Sequence, residues 1–276
     1  MKIYPMADPI RYSRMTTAEL RETFLVDELF GPGAIAAVYV DLDRTVIGSA
    51  VPTDRPLDLG TYDALKSSYF TERRELGILN LGGTGTVSAD GTRYELENLS
   101  CLYIGRGTEK ISFASAHPQA PAAFYLLSYP AHRTYPTKLV TKLQAETTDL
   151  GGPATCNKRR IHKYIHAGGI ESCQLVMGFT ALEAGSAWNT MPPHTHMRRS
   201  EVYLYFNLDE GDRVMHLMGP AQETRHIIVA DRQAVISPGW SIHAGVGTSA
   251  YTFCWGMGGE NQAFSDMDPV AITSLK

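Results

Sequence analysis

From Ala34 onward the chain reads as short runs of apolar or alternating residues. Ala34 to Val40, Thr45 to Ala50, Gly77 to Leu81, Gly85 to Val87, Cys101 to Ile104, Ile111 to Ala114 and Ala123 to Leu127 are such runs. Turn signals part them at Gly82-Gly83, Ala89-Asp90-Gly91 and Gly105-Arg106-Gly107. β-Branched and aromatic side chains suit a pleated, half-buried surface, and Gly or Asp-Gly lets the chain reverse between runs. Many short strands at this spacing predict an all-β fold, a sandwich, jelly roll or barrel. A second β-rich set follows from Arg160 to about Trp255.

The length, 276 residues, allows one large domain or two of ordinary size. A weak internal repeat favours two. Glu72-Arg73-Arg74-Glu75-Leu76-Gly77-Ile78-Leu79-Asn80-Leu81 resembles the stretch from Met197 to Leu208, and Tyr103-Ile104-Gly105-Arg106-Gly107 resembles Ile236-Ser237-Pro238-Gly239-Trp240. Ahead of the strands, Thr16-Thr17-Ala18-Glu19-Leu20 has the spacing of a capping box, so a helix opens there and Gly31-Pro32-Gly33 stops it. The expected organisation is an N-terminal helical arm over 1–33, docked on a barrel or a neighbouring subunit, and a first barrel over 34–135. A polar linker containing Gly151-Gly152-Pro153 follows over 136–156, then a second barrel with its tail over 157–276.

Composition excludes several roles. With 29 acidic against 25 basic residues the net charge is −4, which argues against broad nucleic-acid binding. Cys101, Cys156, Cys173 and Cys254 show no paired spacing and read as thiols rather than a disulfide framework. No stretch is apolar enough to span a bilayer, and Met1-Lys2-Ile3-Tyr4-Pro5 has no signal core; a cytoplasmic protein without membrane partners is expected.

The chemistry concentrates at Met191-Pro192-Pro193-His194-Thr195-His196-Met197-Arg198-Arg199-Ser200-Glu201. His194 and His196 lie two apart, and on a strand such residues share a face. Glu201 follows five residues later and leads into the β-forming run Val202-Tyr203-Leu204-Tyr205-Phe206. Imidazole nitrogens with a carboxylate oxygen suit zinc, iron or manganese. A fourth ligand is on offer at His243, behind a Pro238-Gly239 turn. His-x-His-x4-Glu followed by Pro-Gly-x3-His resembles the two metal motifs of the cupin superfamily. One departure is that the superfamily glycine stands six residues before the first histidine, whereas Gly185 stands nine before His194. Three His and one Glu leave coordination positions open, as a catalytic rather than a structural site requires. The first half lacks these histidines and is expected to be structural, an interface or a wall of the active cleft.

Further blocks resemble one family, the 5-dehydro-4-deoxy-D-glucuronate isomerases. They are Phe70-Thr71-Glu72-Arg73-Arg74-Glu75-Leu76-Gly77, Thr134-Tyr135-Pro136-Thr137-Lys138, Trp188-Asn189-Thr190-Met191-Pro192, Gln222-Glu223-Thr224-Arg225-His226, Ala234-Val235-Ile236-Ser237-Pro238 and Gly259-Glu260-Asn261-Gln262. The resemblance implies two cupin (jelly-roll) β-barrels in tandem with a short N-terminal helix. It implies one Zn2+ per chain, Fe2+ or Mn2+ being alternatives, held by His194, His196, Glu201 and His243. It also implies a homohexamer, and conversion of the uronate to 3-deoxy-D-glycero-2,5-hexodiulosonate late in pectin breakdown.

Aldose–ketose isomerisation passes through an enediolate, whose charge a divalent cation stabilises while a base moves the proton. Candidate bases are Glu223, His226 and Glu260, and Glu201 if it leaves the metal. The small anionic sugar needs a cation: Arg199 beside the motif, Arg160 and Lys163 in the basic run Asn157 to Lys163, or Arg225. Tyr203 and Tyr205 could stack on or hydrogen-bond a sugar, though strand packing explains them equally well. Three rivals remain open: 5-deoxyglucuronate isomerase, an iron cupin dioxygenase, and a non-catalytic sugar-binding cupin.

Overall fold

The structure, a computed structural model, describes residues 1–260, 263 and 266–276. Asn261 and Gln262, at the end of one of the resembling blocks, lie outside the described residues. The chain divides into two units, one of residues 1–4, 28–146 and 164–176 and one of residues 5–27, 147–163 and 177–276.

The first unit holds a seven-stranded sheet in the order Lys2–Tyr4, Ile35–Val40, Thr45–Ala50, Phe124–Pro130, Arg74–Asn80, Cys101–Ile104, Lys138–Val140. A four-stranded sheet in the order Leu57–Asp58, Ile111–Ser115, Gly85–Ala89, Thr92–Leu96 accompanies it. Leu76, Ile78, Val87, Leu102, Phe113 and Phe124 are buried together as its core. They sit at every second position of their strands, the period that sets one face of each strand inward.

The second unit repeats the plan. Its large sheet runs Glu146–Leu150, Arg159–Ile165, Val176–Leu182, Thr252–Gly259, Arg199–Phe206, Gln233–Ser237, Leu25–Val26. Its small sheet runs Trp188–Asn189, Ile242–Gly247, Val214–Gly219, Arg225–Val229, and a short pair joins His194–Thr195 to Asp268–Pro269. Among the described residues no helix is long and apolar enough to cross a membrane.

The sequence boundaries do not coincide with this division. The helix Thr17–Phe24 carries the expected capping box, with Thr16 accepting from the Glu19 N–H and Glu19 returning to the Thr16 N–H. It ends at Phe24 and not at Gly31-Pro32-Gly33. Leu25 and Val26 are buried and extended, and they pair with Val235 and Ala234 at the edge of the second unit's large sheet. Residues 1–33 are therefore not one arm, since Lys2–Tyr4 pairs with Val38–Val40 in the first unit. Nor is 136–156 a linker. Lys138–Val140 pairs with Cys101–Tyr103, and Glu146–Leu150 is an edge strand of the second sheet. Edge strands keep one side toward solvent, so they read as polar although they are paired.

The repeat is real in strand order, and the register shows which residues of its two copies correspond. In the fifth strand of each large sheet, Leu76 lies opposite Ser128 and Ile104, while Glu201 lies opposite Met257 and Ser237. Leu76, not Glu75, occupies the place of Glu201. One residue of slip moves a side chain to the other face. Glu75 instead accepts hydrogen bonds from the N–H groups of Cys173, Gln174 and Leu175 and from the Tyr103 hydroxyl, all in the first unit.

Candidate metal centre

Four side chains converge in the second unit. His194 comes from the short strand His194–Thr195 and His196 from the residue just beyond it. Glu201 lies on Arg199–Phe206, and His243 lies on Ile242–Gly247 of the small sheet. One donor atom from each falls within 4.8 Å of the others. Glu201 Oε2 is 3.0 Å from His196 Nε2 and 2.9 Å from His243 Nε2, and His243 Nε2 is 3.0 Å from His194 Nε2. His196, Glu201 and His243 are buried and His194 is half-buried.

The donor set fits a divalent cation. The Arg199 carbonyl can only accept, so His196 Nδ1, at 2.9 Å, donates to it and leaves the Nε2 lone pair facing the cluster. Ser237 Oγ lies 3.3 Å from His243 Nδ1 and helps hold that ring in place, as donor or acceptor according to the tautomer. His194 Nε2 and His243 Nε2 then face each other and one carboxylate across about 3 Å. Lone pairs brought together in a buried place need a proton or a cation between them, and bonds of about 2.0–2.2 Å to one ion would space its ligands in this way.

Electrostatics sort the ligands. Burial, then the neighbouring His243, pushes His194 down to about 3, so its imidazole is neutral. Burial is the largest influence on His196 and opposes its charge, yet the hydrogen bond to Glu201, the charge of Glu201 and the hydrogen bond to the Arg199 carbonyl together outweigh it and raise its pKa. Burial likewise opposes charge on Glu201, but His243 and the two imidazole hydrogen bonds hold its carboxyl well below the usual carboxylate range.

The cluster opens on a cavity of about 390 Å³ lined by residues of the second unit. That size suits a small molecule. Four strands of the large sheet contribute alternate residues, Thr148 and Leu150; Arg159, Ile161 and Lys163; Arg199, Glu201 and Tyr203; Phe253, Trp255 and Met257, and Val176–Leu182 adds Thr180. Among these lining residues Glu201 is the one carboxylate. The Tyr203 hydroxyl lies 3.0 Å from Thr190 Oγ1, and burial raises its pKa well above the ordinary tyrosine value, so it stays protonated.

The structure therefore brings Arg199, Lys163 and Tyr203 to the cavity together with the ligands. It places the other sequence candidates off the lining. Glu223 and His226 are exposed, at and beside the edge strand Arg225–Val229, and Glu260 is exposed just past Thr252–Gly259. Arg160 points away from Arg159 and Lys163 and makes a two-pronged contact with Asp149, at 2.6 and 2.9 Å. Arg225 donates to the carbonyls of Ser13 and Met15 and lies over the Tyr12 ring. Arg199 is buried, with Nη2 2.8 Å from Asp266 and Nη1 donating to the Ala263 carbonyl.

Two residues escaped the sequence reading. Arg159 lines the cavity, and strict alternation from Lys163 through Ile161 would have selected it over Arg160. His216 is fully buried, held at Nδ1 by the Tyr205 hydroxyl at 2.7 Å, and burial pushes it down to about 3. Nothing in the sequence around His216 marks it.

Comparison with known proteins bears on the whole chain. The model of the KduI/IolB family matches residues 33–271. A 4-deoxy-L-threo-5-hexosulose-uronate ketol-isomerase of Shouchella clausii is 54% identical over 268 residues, 97% of either chain. An IolB-like protein of Salmonella typhimurium superposes with a TM-score of 0.71 at 13% identity, covering 90% of this chain and 96% of that one. Bacillus subtilis oxalate decarboxylase, described with Mn(II) centres, superposes with a TM-score of 0.56 at 11% identity, covering 81% and 71%. At such identities the two structural matches bear on fold alone, and the fold is the tandem cupin expected from the sequence.

Proposed function

This chain belongs to the KduI/IolB family, and from that premise we propose that it is a metal-dependent ketol-isomerase. Its substrate is 4-deoxy-L-threo-5-hexosulose-uronate, also called 5-dehydro-4-deoxy-D-glucuronate, and its product 3-deoxy-D-glycero-2,5-hexodiulosonate. The observation that carries the metal dependence is the convergence of His194, His196, Glu201 and His243 in one cluster, two of whose members, His194 and Glu201, line the cavity. A bound divalent ion would supply Lewis acidity to the oxygens of an enediolate.

The chain's own residues divide the remaining work. The carboxylate of Glu201, held ionised, and the neutral His194 are ready ligands and weak bases. The protonated Tyr203 hydroxyl can donate to a substrate oxygen. Phe253, Trp255 and Met257 give the cavity an apolar wall that strengthens these interactions by excluding water. The family resemblance adds zinc as the ion, a homohexameric assembly, a cytoplasmic setting and a place in pectin breakdown, and these form part of the proposal.

The test is isomerase activity on this uronate with protein as purified, stripped by chelator and refilled with zinc. Activity lost on stripping and restored by zinc is expected. Unchanged activity after complete stripping would remove the metal from the reaction. Absence of turnover in metal-loaded protein would remove the substrate assignment.

A further inference from the structure

We propose that Arg159 is the residue that receives the carboxylate of the substrate, and so selects uronates over neutral sugars. The proposal rests on the isomerase reading above for its substrate. The other candidate cations are already engaged elsewhere. Arg160 is spent on Asp149 and turned from the cavity. Arg225 is spent on two carbonyls away from it. Arg199 reaches the cavity but has Asp266 as countercharge. Lys163 shares the right face and has a partner of its own.

Arg159 differs from all four. It lines the cavity and is half-buried, and among the described residues its side chain makes one hydrogen bond, from Nη1 at 2.8 Å to the neutral carbonyl of Asn157. Among the described residues no carboxylate pairs with it. Burial lowers its pKa, opposed by the nearby Tyr203 and Tyr251, yet a guanidinium so placed stays charged. A half-buried cation held by one neutral acceptor has lost hydration that an incoming anion would replace. A guanidinium also presents two parallel N–H groups to a carboxylate, which a lysine cannot.

Its place suits the reaction. The carboxylate of this uronate ends the six-carbon chain opposite the two carbons that exchange the proton, so its anchor must stand off from the ligand cluster. Arg159 lies on the second strand of the large sheet and Glu201 on the fifth, three spacings apart or roughly 14 Å between backbones. Arg159 and Tyr203 line the same cavity and are near enough to interact electrostatically.

The experiment compares the wild type with Arg159→Gln, Arg159→Lys and, as a control off the cavity, Arg160→Gln. Kinetics on the uronate, metal content, and calorimetric binding of D-glucuronate and D-glucose are measured on each zinc-loaded protein. For Arg159→Gln the expected result is a rise in KM of about 10- to 100-fold, a much smaller change in kcat, and unchanged metal content. Arg159→Lys recovers part of the loss, and Arg160→Gln leaves KM as it was. Glucuronate binding weakens in Arg159→Gln by the same order, while glucose binding does not change. Unchanged KM and glucuronate binding in Arg159→Gln would overturn the proposal, as would equal weakening of both sugars. If the wild type does not turn over the uronate, the isomerase reading falls; the glucuronate–glucose comparison still decides whether Arg159 is a carboxylate site.

Discussion

Replacing Glu75 by alanine should destabilise the first unit by about 3–5 kcal/mol while leaving the metal site loaded. Glu75 is fully buried, and its two oxygens are evenly used. Oε1 accepts from the Gln174 and Leu175 N–H groups at 2.8 Å each, and Oε2 from the Cys173 N–H at 2.7 Å and the Tyr103 hydroxyl at 2.8 Å. Alanine leaves three N–H groups and a buried phenol without an acceptor. An orphaned buried donor costs about 1–3 kcal/mol, and partial collapse or entry of water holds the sum near the range given. Glutamine keeps one oxygen and turns an amide N–H2 toward two donors, so about half of that cost is expected. Tyr103→Phe removes one donor from an otherwise satisfied carboxylate and should cost about 1 kcal/mol. Guanidinium unfolding monitored by circular dichroism gives the ranking, and elemental analysis confirms that the metal remains. A Glu75→Ala midpoint equivalent to less than 1 kcal/mol, or a Tyr103→Phe loss as large as that of Glu75→Ala, would refute the reasoning.

Three further outcomes are expected. His243→Ala, which removes one of four ligands, should lower zinc affinity at least 100-fold and activity with it, read by metal titration against a chromophoric chelator. Metal uptake should release protons at pH 6. His196 is raised and so holds a proton more tightly than a free imidazole, whereas His194 at about 3 and Glu201, held well below the usual carboxylate range, have already lost theirs. Affinity should therefore fall as pH drops through the pKa of His196, and calorimetry in two buffers of unlike ionisation heat that shows no release would contradict it. Gly178→Ala would bring a Cβ to 2.3 Å from the His162 carbonyl and 2.4 Å from the Trp255 ring. It should cost about 1–3 kcal/mol by overpacking and disturb the cavity wall, which a thermal melt and KM would register.

Much of this was legible in the sequence. Thr45–Ala50 and Cys101–Ile104 have the bounds read from the residues, and the Thr16–Glu19 capping box forms as spaced. The ligand motif was legible because three of its four members sit within one short stretch, where local spacing decides which side chains can meet. What was not legible depends on face and on partners distant in sequence. In Arg159-Arg160-Ile161-His162-Lys163 both faces mix charge with bulk, so composition cannot say which parity points inward; the pairing of that strand with its neighbours does. The polar stretch 136–156 concealed two strands because an edge strand is defined by what it pairs with, not by apolar residues of its own. The candidate bases Glu223, His226 and Glu260 stood in blocks that resemble the family, and membership of such a block does not place a side chain at the cavity.

The two units show what a metal site requires beyond a fold. Both have the same strand plan, and in both the fifth strand of the large sheet carries an inward position flanked by the same two neighbours. In the first unit that position is Leu76, beside Ile104, and the interior is closed with aliphatic and aromatic side chains. In the second it is Glu201, beside Ser237, and the hydroxyl of Ser237 lies against His243. A lone carboxylate in the first interior would lose its hydration with nothing in return, at a cost of several kcal/mol. In the second, two buried imidazoles and one half-buried one stand within reach, and a shared cation turns that cost into binding. The site is thus a property of the set. His194 and His196 arrive on one strand and loop, Glu201 on the large sheet and His243 on the small one, so neither sheet alone could hold the ion.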